Sequence, residues 1–229
     1  MHFTKSLEQW AVGAAFALLA GTASAAPLTL SGPITGNAVG PQSASAPCVI
    51  AGTNCSNPAN FGYNNFTSTG AISSYNMYST TPTATVADGV QGTPYTVGQL
   101  LTLFPTGEFD IAIDINTTNK NSETLNLFEV IINGAVAYDY VGPTALAPVN
   151  NNGNGYADWL LQTVSLDAYL STATVLFHAV WSGAVDGAES FFLVASGSSP
   201  PTGIPEPATL ALVGLALVGL GAGRRARKA

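Results

Sequence analysis

The chain has 229 residues, room for one ordinary domain or two small ones. Only 8% of them are charged and 47% are hydrophobic, with 13 acids against 6 bases and a formal charge of −7. That balance excludes a nucleic-acid binder, which needs a basic face to neutralise phosphates, and an acidic disordered chain, which lacks apolar residues.

The N-terminus reads as a secretory signal. A short segment with Lys5 precedes an apolar stretch, AVGAAFALLAG, and then an A-x-A site at Ala23-Ser24-Ala25. Signal peptidase would cut between Ala25 and Ala26, so residues 1–25 form the signal helix. The apolar stretch is too short and too rich in Ala to be a stable span. The alternative is an amphipathic or buried N-terminal helix. No Cys follows the site, which excludes a lipoprotein anchor.

Residues 26–200 form the body. Its first part, 26–92, is rich in Ser, Thr, Asn, Gly and Pro and reads as loops joining short strands. Cys48 and Cys55, the two cysteines of the chain, lie here. In an exported protein they are expected to form a disulfide. A loop that small would gain about 2.5 kcal/mol by chain entropy. A catalytic or metal-binding Cys pair would need His partners, and the body holds only His178.

Regular strands are expected over 93–196. Residues 108–116 alternate strictly. Phe109, Ile111, Ile113 and Ile115 face one way; Glu108, Asp110, Asp114 and Asn116 face the other. The pattern predicts one buried and one wet face. Residues 125–132 and 135–141 flank Asn133-Gly134, the strongest short hairpin signal. Further strands are expected at 159–164, 172–181 and 190–195, with Val175, Phe177, Ala179 and Trp181 on one face of theirs. Only 166–170 suggests a helical turn. Short strands punctuated by turns predict an all-β fold, an antiparallel sandwich or jelly roll.

Candidate chemistry in the body is sparse. Residues 150–158, NNNGNGYAD, are rich in oxygen donors, and Asp158 and Asn154 are the candidate calcium ligands. The competing reading is an Asn/Gly turn, which uses Asn for left-handed and Asx conformations. Glu108, Asp110 and Asp114 share a strand face, and Asp186 and Glu189 flank a Gly turn. Paired carboxylates can hydrolyse glycosides at about 5 or 6.5–9.5 Å, but a solvated sheet face explains the same pattern. His178 could join a Ser and an acid in a triad; no G-x-S-x-G motif supports it. Tyr63, Tyr75, Tyr78, Tyr138 and Tyr140 could contact sugars, or pack as strand residues.

The C-terminus carries the second address. A Pro-rich linker, 201–207, ends in Pro205-Glu206-Pro207. Residues 208–223 are 16 uncharged residues, and a basic tip, 224–229, begins with Arg224 and Arg225. As a helix the apolar run is roughly 24 Å long, a little short of a ~30 Å hydrocarbon core. Snorkelling arginines can close the gap. The basic tip should stay cytoplasmic, leaving the body outside. Pro205 and Pro207 keep the backbone extended until the helix begins.

Those three parts, in that order, resemble the PEP-CTERM sorting signal of exported bacterial proteins. The resemblance implies recognition by exosortase, an integral-membrane cysteine transpeptidase. It also implies removal of the tail and a Gram-negative producer of extracellular polysaccharide. The plainer alternative is a single-pass anchor with a Pro-rich stalk. The stretch 109–194 resembles the β-rich body common among such proteins. Asn133-Gly134, residues 152–158 and residues 186–193 carry that likeness, which implies a fold and no activity.

The expected function is therefore that of an exported surface or extracellular-matrix protein without evident catalysis, structural or adhesive in the envelope or biofilm. Its partners would be signal peptidase, exosortase, the cytoplasmic membrane before processing and extracellular polysaccharide. The alternatives are a carbohydrate- or calcium-binding module and a secreted hydrolase. Removing both addresses leaves eleven acids against Lys120, a net charge of −10.

Overall fold

In the computed structural model, residues 24–51, 55, 57–58, 61, 64–65, 70–75, 89–117, 123–149, 153–184 and 189–197 are described. The signal segment up to Ala23, Pro205-Glu206-Pro207, the apolar run 208–223 and the basic tip with Arg224 and Arg225 lie outside them, as do Lys120, Asp186, Tyr63 and Tyr78. Among the described residues no helix is long and apolar enough to cross a membrane.

The chain is β-rich and forms two sheets packed face to face, with one short helix. The alternating segment is β7 (Glu108–Asp114), central in one sheet. It lies between β10 (Trp159–Ser165) and β12 (Ser190–Ala195), both antiparallel to it. That sheet runs on from β12 to β3 (Cys48–Ala51) and β4 (Asn64–Asn65), and from β10 to β2 (Thr29–Ser31). In the facing sheet, β8 (Glu123–Ile132) lies between β9 (Ala135–Leu146) and β11 (Thr174–Ala184). β11 also pairs with β5 (Gly70–Tyr75) and β6 (Tyr95–Thr96), and β1 (Ala26–Pro27) adds to β9 in parallel.

Numbered one to eight in chain order, β3, β5 and β7 to β12 stand in the orders 1-8-3-6 and 2-7-4-5. Six of their neighbouring pairs are antiparallel, and no parallel pair occurs among them.

The core lies between the sheets. Phe109, Ile111, Ile113, Phe191 and Leu193 meet Phe128, Val130, Val175, Phe177 and Trp181, all buried. The rings are stacked edge-on or tilted, as Trp181 on Phe191 at 5.9 Å and Phe109 on Phe177 at 6.1 Å. The turn Asn133-Gly134 has positive φ at both residues, 51° and 79°, which gives a hairpin the twist of its strands.

Three expectations need correction. The polar face of β7 is not wet. Asp110 and Asp114 are each 1% exposed, and Glu108 alone meets water. A second apolar layer, with Ile34, Val39, Ala112, Leu160 and Phe192, closes over that face. Alternation shows that the two faces differ, not what covers each.

The helix is also elsewhere. Residues 166–170 form a turn, with the Tyr169 N–H donating to the Leu166 carbonyl. The one described helix is α1 (Val97–Leu103). Thr96 caps it in a capping box: its hydroxyl accepts from the Gln99 N–H, and the Gln99 side chain accepts from the Thr96 N–H.

Finally, β9 does not end at Val141 but runs past Gly142-Pro143 to Leu146. A register shift at Leu125/Leu127 absorbs the proline, as bulges do. A Cβ on Gly142 would stand 2.2 Å from the Leu125 carbonyl oxygen, so glycine alone fits there.

Candidate functional site

The strand ends at Asp114, Glu123, Asp158 and Glu189 lie together at one end of the sandwich. There the fold gathers four buried acids. Asp114 closes β7, Glu123 opens β8, Asp158 precedes β10 and Glu189 precedes β12. None is more than 1% exposed.

Most of their oxygens hold loops in place. Asp158 accepts from the Ile115 N–H and the Val149 N–H, both at 2.9 Å. Asp114 accepts from the Gly155 N–H at 2.7 Å. Glu189 accepts from the Asn116 N–H, and Glu123 from the Trp181 indole N–H at 2.7 Å. Second oxygens of Asp114, Glu123 and Glu189 are buried and accept from no N–H or hydroxyl.

Burial sets the electrostatics here. It pushes Asp114 up to about 7, against the opposing pull of its Gly155 hydrogen bond, and nearby Asp158 adds to the rise. Burial also drives Glu189 up to about 10. Its hydrogen-bonding contact with the Glu123 carboxyl and the negative field of Glu123 and Asp114 push the same way. Asp110, further along β7, is raised by burial and accepts from the Ser196 hydroxyl.

The Asn/Gly loop that carries the candidate calcium ligands is built as turns. The Asn154 side-chain oxygen accepts from the Tyr156 N–H two residues on, an Asx turn. Its amide donates to Asn37. Gly153 and Gly155 have φ of 53° and 85°, the left-handed region that favours glycine. Asp158 spends an oxygen on each of two main-chain N–H groups, of Ile115 and Val149. No group of three His, Cys, Asp or Glu side chains among the described residues is disposed to hold a metal ion.

A second polar constellation was not foreseen residue by residue. Glu129, His178 and Ser73 lie side by side on β8, β11 and β5. His178 Nδ1 is 2.7 Å from Glu129 Oε2, and its Nε2 is 2.9 Å from the Ser73 hydroxyl. The register explains it: His178 is paired with Glu129 across one side and with Tyr75, two residues from Ser73, across the other. Alternation could place each residue on the outer face of its own strand, but not bring the three strands together.

Ser73 sits in mid-strand, between Ile72 and Ser74, both paired to β11. A nucleophilic serine is usually carried on a sharp turn beside free N–H donors. Of the tyrosines, Tyr138 donates to the Ser165 carbonyl at 2.7 Å and the Tyr140 hydroxyl bonds Thr144; both rings are half-buried. Tyr75 lies in β5. No aromatic side chain is among the exposed large hydrophobics of the described residues.

Cys48 and Cys55 form the expected disulfide. Asn57 grips Cys48 from the side: its oxygen accepts the Cys48 N–H and its amide donates to the Cys48 carbonyl, both at 2.8 Å. The bridge lies in the apolar layer that covers β7. An open groove of about 740 Å³ runs beside it, between Val39, Ala46, Phe104 and Val194, with no charged side chain in its lining.

No curated protein and no solved structure matches the chain. Its far end does match a known sequence family. Residues 203–228 are a PEP-CTERM protein-sorting motif, the C-terminal signal of exosortase substrates.

Proposed function

We propose that this protein is exported, held briefly in the cytoplasmic membrane with its body outside, and handed by exosortase to the envelope surface or extracellular matrix of a Gram-negative bacterium. There it serves a structural or adhesive role without catalysis. The observation that carries this reading is the sorting motif at residues 203–228. Signal peptidase cleavage after Ala25 would leave β1, which begins at Ala26, whole.

The strand orders 1-8-3-6 and 2-7-4-5 alternate between the sheets in the manner of a jelly roll. That architecture serves lectins and capsids as well as enzymes, so it favours no single activity. Extracellular polysaccharide is the proposed partner. A body of charge −10 would approach an acidic polysaccharide only through bridging cations. Changing Pro205, Glu206 and Pro207 to Ala tests the sorting: the variant should stay in the membrane fraction while the wild type leaves it. Equal release of both would refute it.

A second reading, a secreted hydrolase, has one observation in its favour, the Ser73–His178–Glu129 relay. A serine-directed phosphonate probe distinguishes the two. Labelling that Ser73→Ala abolishes supports hydrolysis. An unlabelled folded protein supports the non-catalytic role. The Glu123 and Glu189 carboxyls touch rather than standing about 5 Å apart, which removes the glycosidase spacing there.

A further inference from the structure

We propose that Glu123 and Glu189 form the carboxylate core of a divalent-cation site, suited to calcium, that ties the two sheets together at the acidic end of the sandwich. This site is separate from the Asn154–Asp158 loop and does not depend on the sorting role.

The first ground is unmet valence. Glu123 and Glu189 are 1% and 0% exposed, and their carboxyl groups are in contact. One oxygen of each already accepts a hydrogen bond, from the Trp181 indole and the Asn116 N–H. The other oxygen of each receives no N–H or hydroxyl and is left with the facing carboxyl. A third buried oxygen without such a donor belongs to Asp114, whose charge also acts on Glu189. Buried carboxylates left without partners cost several kcal/mol each, so folds pair them or give them a metal.

The second ground is that no organic cation among the described residues neutralises the pair. The described residues contain no Lys or Arg at all, and His178 is bonded to Glu129. A single shared proton between Glu123 and Glu189 would satisfy that pair only in part and would leave the Asp114 oxygen untouched. A divalent ion neutralises the pair outright.

The third ground is position and donor type. Glu123 begins a strand of one sheet, and Glu189 enters a strand of the other. An ion held by both would tie the first residue of β8 to the residue that leads into β12. All the donors are hard oxygens, which suit calcium and not zinc. No three acidic side chains group as a ready metal shell, so main-chain carbonyls and water must complete the six to eight ligands calcium takes. Two carboxylates and a water-completed shell place the affinity with extracellular modules, Kd about 10⁻⁴–10⁻³ M.

Trp181 supplies the test, because its indole touches Glu123. Terbium, a calcium surrogate, emits when excited through a tryptophan beside it. The exported protein, purified with its disulfide intact, should show tryptophan-sensitised terbium emission that millimolar calcium displaces. Glu189→Gln should weaken terbium binding at least tenfold, and Asn154→Ala should leave it unchanged. Emission lost in Asn154→Ala but kept in Glu189→Gln would overturn the assignment. If Glu189→Gln does not fold, the Asn154→Ala variant decides, because it lacks the loop ligand and keeps both glutamates. Its melting temperature should rise by roughly 5–10 °C from chelator to calcium at about 100 times Kd. No sensitised emission and no shift would mean that the carboxyls merely share a proton.

Discussion

Asp114 and Glu189 are buried where their charged forms are poorly solvated, and that has a definite sign. A raised carboxylate pKa means that the folded protein keeps a proton the unfolded chain gives up. For Asp114 this holds between about 4 and about 7, and for Glu189 between about 4.5 and about 10. These two groups therefore destabilise the fold progressively as pH rises through those windows and cost nothing below them. Urea denaturation in chelator should show stability falling from about pH 5 to about pH 9. The fall should be shallower in Glu189→Gln, whose side chain cannot ionise; identical slopes would contradict this. Asp158 works in the opposite manner, as an acceptor for two main-chain donors. Asp158→Ala would strand the Ile115 and Val149 N–H groups and should cost about 3 kcal/mol. A loss below about 1 kcal/mol would mean that water replaces the carboxylate.

At the level of elements, the strands with an unbroken period of two were legible in the sequence. β7, β12 and the Asn133-Gly134 hairpin stand where alternation and turn chemistry put them. Two features escaped for local reasons. The capping box Thr96-x-x-Gln99 was readable, but the helix it starts has only seven residues and includes Gly98, too short for helical periodicity to emerge. The expected strand stops at Val141, before Gly142-Pro143; a ladder normally excludes proline, and the bulge beside Gly142 relaxes that rule. Thr96→Ala should cost about 1 kcal/mol in denaturant, the worth of an N-cap. Gly142→Ala should cost more than that, because the new methyl meets the Leu125 carbonyl and the backbone must shift. Equal effects would show that the bulge accommodates a side chain.

Across the molecule, the addresses and the body were unequally readable. The sorting signal is local, carried by consecutive residues, and so could be recognised without a fold. The acidic end could not. Asp114, Glu123, Asp158 and Glu189 span three separate connections, and only the pairing of two sheets brings them together. In the sequence Asp114 stands on the polar face of an alternating strand and Glu189 beside a Gly turn, and neither pattern shows burial. The burial of Asp114 draws on an apolar layer contributed by distant residues such as Ile34 and Val39. The disulfide pins part of that layer, and reducing it should lower stability by about 2.5 kcal/mol. Melting with and without reductant measures this; an unchanged midpoint would show that the apolar layer holds without the bridge. The central claim is that residues 203–228 direct the body out of the membrane by cleavage of the tail. Intact-mass spectrometry of the protein recovered outside producing cells tests it directly. Processing at both ends predicts a chain that begins at Ala26 and ends near Pro205-Glu206-Pro207, without the apolar run and the arginines. A recovered chain that still ends at Ala229 would contradict it.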